Sequence, residues 1–117
     1  MPLLNFKPRF VAPIQTGIKH HTIRAHRIVP IKKGDPLYLY CGARHPGAFR
    51  ILPEPHPCTR VELITISASG HIAVEGEQLS PTETQRLARA DGFRDELDML
   101  AYWKDRLPFE GNIIHWK

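Results

Sequence analysis

Proline is the residue that most constrains how this chain can fold, because it accounts for 11 of the 117 residues. Proline lacks the backbone N–H group and fixes φ at about −65°, so it interrupts helices and central strands. Four prolines fall within one short stretch: Pro46, Pro53, Pro55 and Pro57. The segment between Cys41 and Cys58 that contains them is therefore expected to be an irregular loop, long for a compact domain.

The length and composition are typical of a single globular domain over residues 1–117. Hydrophobic residues make up 42% and charged residues 24%, which argues against disorder. No apolar run approaches the roughly 18 residues of a membrane span, and the N-terminal apolar stretch is too short for a signal peptide. We therefore expect no membrane contact, and a cytoplasmic location in which Cys41 and Cys58 stay free thiols.

Positive charge is concentrated in the first third of the chain. Lys and Arg number 16 against 12 Asp and Glu, a formal net charge of +4. The segment from Lys7 to Lys33 contains no acidic residue. Such a segment suits a partner that carries phosphate groups, although an ordinary solvated face would have the same composition.

Hydrophobic periodicity and capping residues predict an α+β fold. Short strands are expected over residues 3–6, 21–24, 36–41, 60–67, 71–74 and 112–116. An early helix is expected near residues 10–14, with Gly17 as its left-handed stop. A capping box at residues 80–83 predicts a helix to about Ala90, and apolar residues 93, 97, 100 and 101 predict a second helix over about 94–106. Together these elements predict a small mixed β-barrel of about five to six strands, with one early helix and two late helices.

Three motifs occur along the chain in a fixed order: G-I-K-H-H-T-I-R at residues 17–24, G-D-P-L-Y-L at 34–39 and A-R-A-D-G-F at 88–93. They resemble, in order and spacing, the G-x-K-x-x-T-I-R signature of the ASCH domain, the turn and strand that follow it, and the family's A-x-x-(acid)-G-F helix junction. The ASCH domain is a relative of the PUA-like barrels. The agreement extends from Phe6 to Trp116.

The resemblance implies a cleft between barrel and helices, where the family is widely proposed to bind RNA or modified nucleobases. One branch, similar in size to this chain, hydrolyses the amide of N4-acetylcytidine. The resemblance carries its catalytic lysine, threonine and acid over to Lys19, Thr22 and Asp91. That branch has glutamate where this chain has the shorter Asp91, so the resemblance supports the pocket more directly than the reaction.

The residue types alone leave two interpretations open. If residues 21–24 are extended, Thr22 and Arg24 share a strand face and Lys19 approaches from the preceding loop. Two cations and a hydroxyl would suit phosphate or carbonyl oxygens, and Lys19 could hold an oxyanion. The alternative is structural: Thr22 as a β-former, Arg24 as a solvated charge and Asp91 as part of a helix-ending turn. Under the functional interpretation, Lys19, Thr22, Arg24 and Asp91 line one concave pocket.

Four further residues are predicted to contact a ligand: His21, Arg27, Tyr38 and Tyr40. The two tyrosines share a strand face and could stack on bases, or could pack within the fold. The adjacent aromatic residues 102 and 103 point in different directions from a helix, so one of them can reach the cleft.

A zinc site is a further possibility from the residue types, because Cys41, His45, His56 and Cys58 could supply four ligands. The spacing is not that of a standard zinc finger, and Pro57 lies between two of the residues. Surface histidines and two half-buried thiols explain the same pattern, so no metal or other cofactor is expected.

The sequence thus favours an ASCH-like module that binds RNA or a modified nucleoside in a basic cleft. The alternative is an amidohydrolase of N4-acetylcytidine-type substrates, with Thr22 as nucleophile, Lys19 activating it and Asp91 as base. A metal-assisted ribonuclease is a weaker variant. No particular oligomeric state is predicted.

Overall fold

The computed structural model describes residues 2–117, and its strands form two sheets. The first sheet contains β1 (Leu3–Phe6), β3 (Pro36–Cys41), β4 (Phe49–Arg50) and β5 (His56–Pro57). The second contains β2 (His21–Ala25), β6 (Arg60–Ile66), β7 (Ile72–Val74), β8 (Glu77–Gln78) and β9 (Phe109–His115), in the order β2-β9-β6-β7-β8. The β1–β3 pair is parallel, and the other pairs are antiparallel.

One early and two late α-helices accompany the sheets, as the sequence predicts. They are α1 (Val11–Gln15), α2 (Pro81–Ala90) and α3 (Glu96–Trp103), with turns of 3-10 helix at Pro8–Phe10 and Lys104–Arg106. The predicted capping box begins α2: the Ser80 hydroxyl accepts from the Glu83 amide, and the Glu83 carboxylate accepts from the Ser80 amide. None of the helices in residues 2–117 has the length and apolar character needed to cross a membrane.

The α+β class is confirmed, whereas the two sheets do not close into the expected barrel. Closure requires hydrogen bonding around the whole ring of strands. Strands β4 and β5 lie in the proline-rich segment and have two residues each, because proline cannot donate to a β ladder. They are therefore too short to bridge one sheet to the other.

The predicted apolar face of the second late helix was wrong. Leu97 is 74% exposed, whereas Met99 and Trp103 are buried. Phe93 precedes the helix, which begins at Glu96 because Asp95 is its N-cap and accepts a hydrogen bond from the Asp98 amide. Within the helix the buried residues are Met99 and Trp103, four positions apart, so the face turned to the core is centred on them.

One apolar core joins both sheets to the helices. Strand alternation supplies it: Leu37, Leu39 and Cys41 of β3 and Ile64 and Ile66 of β6 are buried. Each large apolar side chain buried in this way stabilises the fold by about 1.5–3 kcal/mol.

The central strand of the second sheet, β9, is paired on both sides, with β2 and β6. Gly111 permits the close approach of β2, because a Cβ at that position would collide with the backbone carbonyl oxygen of Arg24. This packing fixes β2, which carries several of the predicted site residues.

Candidate functional site

A cavity of about 300 Å³ is lined by both sheets and by the junction of α2 and α3. Its volume is at the lower end of the roughly 300–1,000 Å³ typical of ligand pockets. Aromatic side chains form much of its wall: Phe6, Phe10, Phe93, Tyr102, Trp103 and Phe109. The charged side chains in its lining are Lys7, Lys19, Arg24, Asp91 and Arg106, and Thr22 and Tyr102 add hydroxyl groups. Lys19, Thr22, Arg24 and Asp91, which the sequence predicts in one pocket, therefore do meet in one.

The centre of the site is an ion pair between Lys19 and Asp91. The Lys19 residue is only 2% exposed, and its Nζ donates to Oδ1 of Asp91 at 2.9 Å. The same Nζ donates to the backbone carbonyl of Asp91 at 2.6 Å. Asp91 is the C-cap of α2, where unpaired carbonyls and the helix dipole favour a cation. The rings of Phe10 and Phe6 lie 4.8 and 5.7 Å from Nζ and add cation–π attraction.

Two helix-ending glycines bring this pair together. Gly17, with φ +84°, ends α1 and directs the chain toward Lys19. Gly92, with φ +94°, follows Asp91, and a Cβ there would lie 3.1 Å from both Lys19 Cδ and Phe10 Cδ1. Glycine at 92 therefore supplies both the left-handed backbone and the space for the lysine side chain.

Burial affects the pKa of both Lys19 and Asp91. Burial lowers the pKa of Lys19, and the attraction of Asp91 only partly opposes this effect. Burial by itself would raise the pKa of Asp91, but the Lys19 charge and the contacts with His21 and Lys19 outweigh it and lower the pKa. The carboxylate is therefore held ionised beside a lysine that gives up its proton more readily than a solvated one.

His21 contacts Asp91 instead of lining the cavity. It is 3% exposed, and its Nδ1 lies 3.1 Å from Oδ1 of Asp91. Its ring also packs against His115, whose Nε2 is 2.7 Å from Oε1 of Glu62. Oδ1 of Asp91 thus takes the contacts of both Lys19 and His21, while Oδ2 accepts no hydrogen bond from residues 2–117. His21, which the sequence predicts to contact a ligand, instead contacts the Asp91 carboxylate in this structure and helps to position it.

Thr22 and Arg24 share a strand face, as predicted. Nε of Arg24 donates to the Thr22 hydroxyl at 3.3 Å, and Nη2 donates to the Asn5 carbonyl at 2.6 Å. The guanidinium lies 4.7 Å from the Phe6 ring, and burial lowers the pKa of Arg24. Thr22 makes no hydrogen bond to Asp91 within the described residues, so its hydroxyl contacts a cation and not a base.

Trp103 brings an unpartnered donor to the site. Trp103 is 4% exposed, and its indole Nε1 has no hydrogen-bond partner in the described part of the chain. A buried donor without an acceptor costs about 1–3 kcal/mol, which an acceptor on a ligand could recover. The guanidinium of Arg106 lies 4.4 Å from the ring. The sequence predicts that one of the two adjacent aromatic rings reaches the cleft, whereas in the structure both Tyr102 and Trp103 line the cavity.

Tyr38 and Tyr40 lie outside the cavity, so the predicted grouping of these rings with the cleft is not observed. Because the alternate residues of β3 face the core, both tyrosines lie on its other face. The Arg50 guanidinium is 5.7 and 5.8 Å from their ring centroids, and its Nε donates to the Tyr40 hydroxyl at 3.0 Å. Arg27, the remaining predicted contact, lies in the exposed loop after β2 and not in the cavity lining.

Metal-ligating residues do not cluster in the described residues, 2–117, in any group of three or more His, Cys, Asp or Glu. Cys41 and Cys58 are both buried free thiols. The four residues weighed as zinc ligands therefore do not form such a group. No family model, curated protein or solved structure matches the chain.

Proposed function

We propose that this chain is an ASCH-like module that binds RNA or a modified nucleoside in the cavity. One observation carries the proposal: the buried Lys19, the half-buried Arg24, a hydroxyl and a carboxylate converge inside aromatic walls. A nucleobase needs flat apolar contact for its faces and polar partners for its edge. The cavity offers both kinds of contact in a volume suited to a small ligand.

Each polar group has a distinct use in this proposal. Oδ2 of Asp91 can accept from an exocyclic amine, whereas Arg24 and the Trp103 N–H can donate to ring carbonyls. Lys7 and Arg106 line the same cavity but are exposed, so they are suited to a phosphate at its mouth. Apart from Asp91, the charged groups of the lining are positive, which favours an anionic ligand such as a nucleotide.

Support for the ASCH assignment comes from the meeting of two motifs. Lys19 of the signature and Asp91 of the helix junction are 72 positions apart, yet their side chains touch. The proposal includes a PUA-like origin for the fold, with the two sheets as an open form of the barrel. It also assumes the reducing cytoplasm in which both buried cysteines stay free.

The test is a calorimetric titration with cytidine, N4-acetylcytidine and a single-stranded RNA of ten nucleotides. Arg24→Gln removes a cation from the cavity, and Arg50→Gln is the matched control, since Arg50 also contacts aromatic rings but lies outside it. Losing a charge-assisted hydrogen bond should weaken binding by about tenfold or more. Failure of all three ligands to bind, or equal loss in both variants, would contradict the proposal.

A second candidate, the N4-acetylcytidine amidohydrolase, is favoured by the presence of Thr22 in the same cavity as the Lys19–Asp91 pair. The Thr22 hydroxyl would attack the acetyl carbonyl and release cytidine, and water would then free acetate from the threonine ester. Thr22 lacks contact with a base in this structure, which favours binding over turnover.

Release of cytidine from N4-acetylcytidine by the purified protein distinguishes the two candidates. Under the binding proposal, the ligand is recovered intact. Release that Thr22→Ala abolishes, in a variant that still binds cytidine, would establish the hydrolase instead.

A further inference from the structure

The loop between β2 and β3 exposes apolar side chains that the fold does not use. We define the basic loop as residues 26–33. Ile28 is 102% exposed and Val29 is 78% exposed, side by side at its tip. Scattered apolar residues on a surface are ordinary, but two adjacent and largely exposed ones at the tip of a loop leave apolar area for a partner to cover.

The tip projects between two anchored ends. On one side, the His26 ring lies 3.1 Å from Oδ1 of Asn112 and 3.1 Å from Oε2 of Glu110. On the other side, Ile31 is buried, and the Asp35 carboxylate accepts from the Lys32 amide at 2.9 Å. A tip held at both ends loses less conformational freedom when it binds a partner than a free loop would.

The basic loop carries cations without partners. The side chains of Arg27, Lys32 and Lys33 are exposed and make no hydrogen bond or ion pair with another described residue. A shallow hollow of about 370 Å³ beside the tip is lined by Arg27 and Val29, among others. Positive charge and apolar surface thus lie together, which is the combination that phosphates and base faces require.

The loop also adjoins the cavity. It follows directly on Ala25, which lines the cavity together with Arg24. At most about 10 Å of chain separates Ala25 from Ile28. Burial lowers the pKa of Arg24, and the charge of Arg27 adds to this effect to a smaller extent. A strand whose base occupies the cavity could therefore reach the tip.

We propose that the basic loop is a second contact for single-stranded RNA, with Ile28 and Val29 against bases and Arg27, Lys32 and Lys33 against phosphates. This inference rests on the proposed function, since it takes the contacted nucleotides to be neighbours of the one in the cavity. Two apolar side chains are far below the roughly 800 Å² per partner of a stable protein interface. Unpaired cations along a short loop instead match a phosphate backbone.

Fluorescence anisotropy with a labelled ten-nucleotide RNA, and calorimetry with cytidine 5′-monophosphate, test the inference on the full chain. The double variant Ile28→Ser, Val29→Ser should weaken RNA binding by about tenfold, on the scale of one lost stacking contact. Binding of the mononucleotide should not change. Leu97→Ser is the matched control, because Leu97 is an exposed apolar residue on α3.

A charge variant tests the phosphate contacts. Replacing Arg27, Lys32 and Lys33 by glutamine removes three phosphate contacts. Because each contact contributes roughly 0.7 to the slope of log affinity against log salt concentration, the magnitude of that slope should fall by about 2. The control with glutamine at Arg86, Arg89 and Lys104 has the same change in net charge, and its slope should match the wild type.

Unchanged RNA binding in both loop variants, with the mononucleotide still bound, overturns the loop inference and leaves the proposed function intact. RNA binding that needs the loop but is unaffected by Arg24→Gln, with no mononucleotide bound, overturns the cavity proposal and with it the role of the loop as a second contact, because the loop would then be the primary one. Binding of phosphatidylserine vesicles that requires Ile28, with no RNA binding, overturns the loop inference in favour of a membrane surface.

Discussion

Two clusters of cations and aromatic rings in this molecule have similar chemistry and opposite surroundings. In the cavity cluster, Lys19 lies over Phe6 and Phe10 and is 2% exposed. In the surface cluster, Arg50 lies over Tyr38 and Tyr40 and is exposed. Burial lowers the pKa of Lys19, whereas the hydrogen bond to Tyr40 raises the pKa of Arg50. Residue types alone do not distinguish these clusters; burial does.

The fold depends on the cavity cluster far more than on the surface cluster. A buried cation needs its carboxylate, because an unpaired charge in an apolar interior costs several kcal/mol. An exposed cation is hydrated whether or not a ring lies beside it, so its loss changes little. We therefore expect effects that decrease from the cavity cluster to the surface cluster.

The largest effect is expected from Asp91→Leu, which leaves the Lys19 ammonium buried without its carboxylate. Urea denaturation should show a loss of about 3–5 kcal/mol in the free energy of unfolding. The double variant Lys19→Met, Asp91→Leu should recover most of that loss, because no charge is then stranded. If Asp91→Leu lowers the free energy of unfolding by less than about 1 kcal/mol, the Lys19–Asp91 pair contributes no more than a solvent-exposed ion pair does.

Gly92→Ala should be next in size. The left-handed backbone costs a non-glycine residue about 1–2 kcal/mol, and here the added Cβ also meets Lys19 and Phe10 at 3.1 Å. Gly34→Ala is the matched control, with the same φ of +94° and nothing within 4 Å of the added Cβ. Thermal unfolding should show the larger decrease in Tm for Gly92→Ala. Equal decreases would mean that the contact with Lys19 adds nothing.

Acid should remove the contribution of Asp91 to stability. Its pKa is lowered in the folded state, so below about pH 3.9 the unfolded chain takes up the proton first and folding loses free energy. The wild type should therefore be more stable than Asp91→Asn at neutral pH, and the difference should shrink as the pH falls below about 4. Urea denaturation of both proteins between pH 7 and 3 measures it. A constant difference across this range would show that folding leaves the pKa of this carboxyl unchanged, and a difference that grows on acidification would show that folding raises it.

The smallest effect is expected from Tyr40→Phe, which removes the hydroxyl that accepts from Arg50 Nε. Because Arg50 is exposed, the Tm should stay within error of the wild type and RNA affinity within about twofold. A tenfold loss of RNA affinity would instead support the stacking platform that the sequence suggested for Tyr38 and Tyr40.

Much of the local structure could be predicted, because its signals are local. The Ser80–Glu83 capping box and the alternation of Pro36–Cys41 depend on neighbouring residues, and both predicted elements form. Barrel closure could not be predicted, since it depends on pairing between strands far apart in sequence. The second late helix shows the same limit at short range: the side of it that packs on the core, with Met99 and Trp103, depends on tertiary contacts that the spacing of its apolar residues does not reveal.

The site residues could be predicted where they belong to one sequence motif, but not where their role depends on how deeply the side chain is buried. Lys19, Thr22 and Arg24 belong to one signature, so their grouping followed from spacing. His21 lies in that same signature, yet its partner is the buried Asp91 carboxylate. The indole N–H of Trp103 has no hydrogen-bond partner among the described residues, and no sequence pattern indicates that an acceptor is missing there.

The cavity lining begins at Asn5 and ends at Phe109. A ribosome must therefore release almost the entire chain before the cavity can form, and a prematurely terminated product lacks part of its lining. Truncation before Phe109 would also remove β9, the strand that pairs with both β2 and β6, so the shortened polypeptide is expected to lose the pocket and not to keep a weaker one.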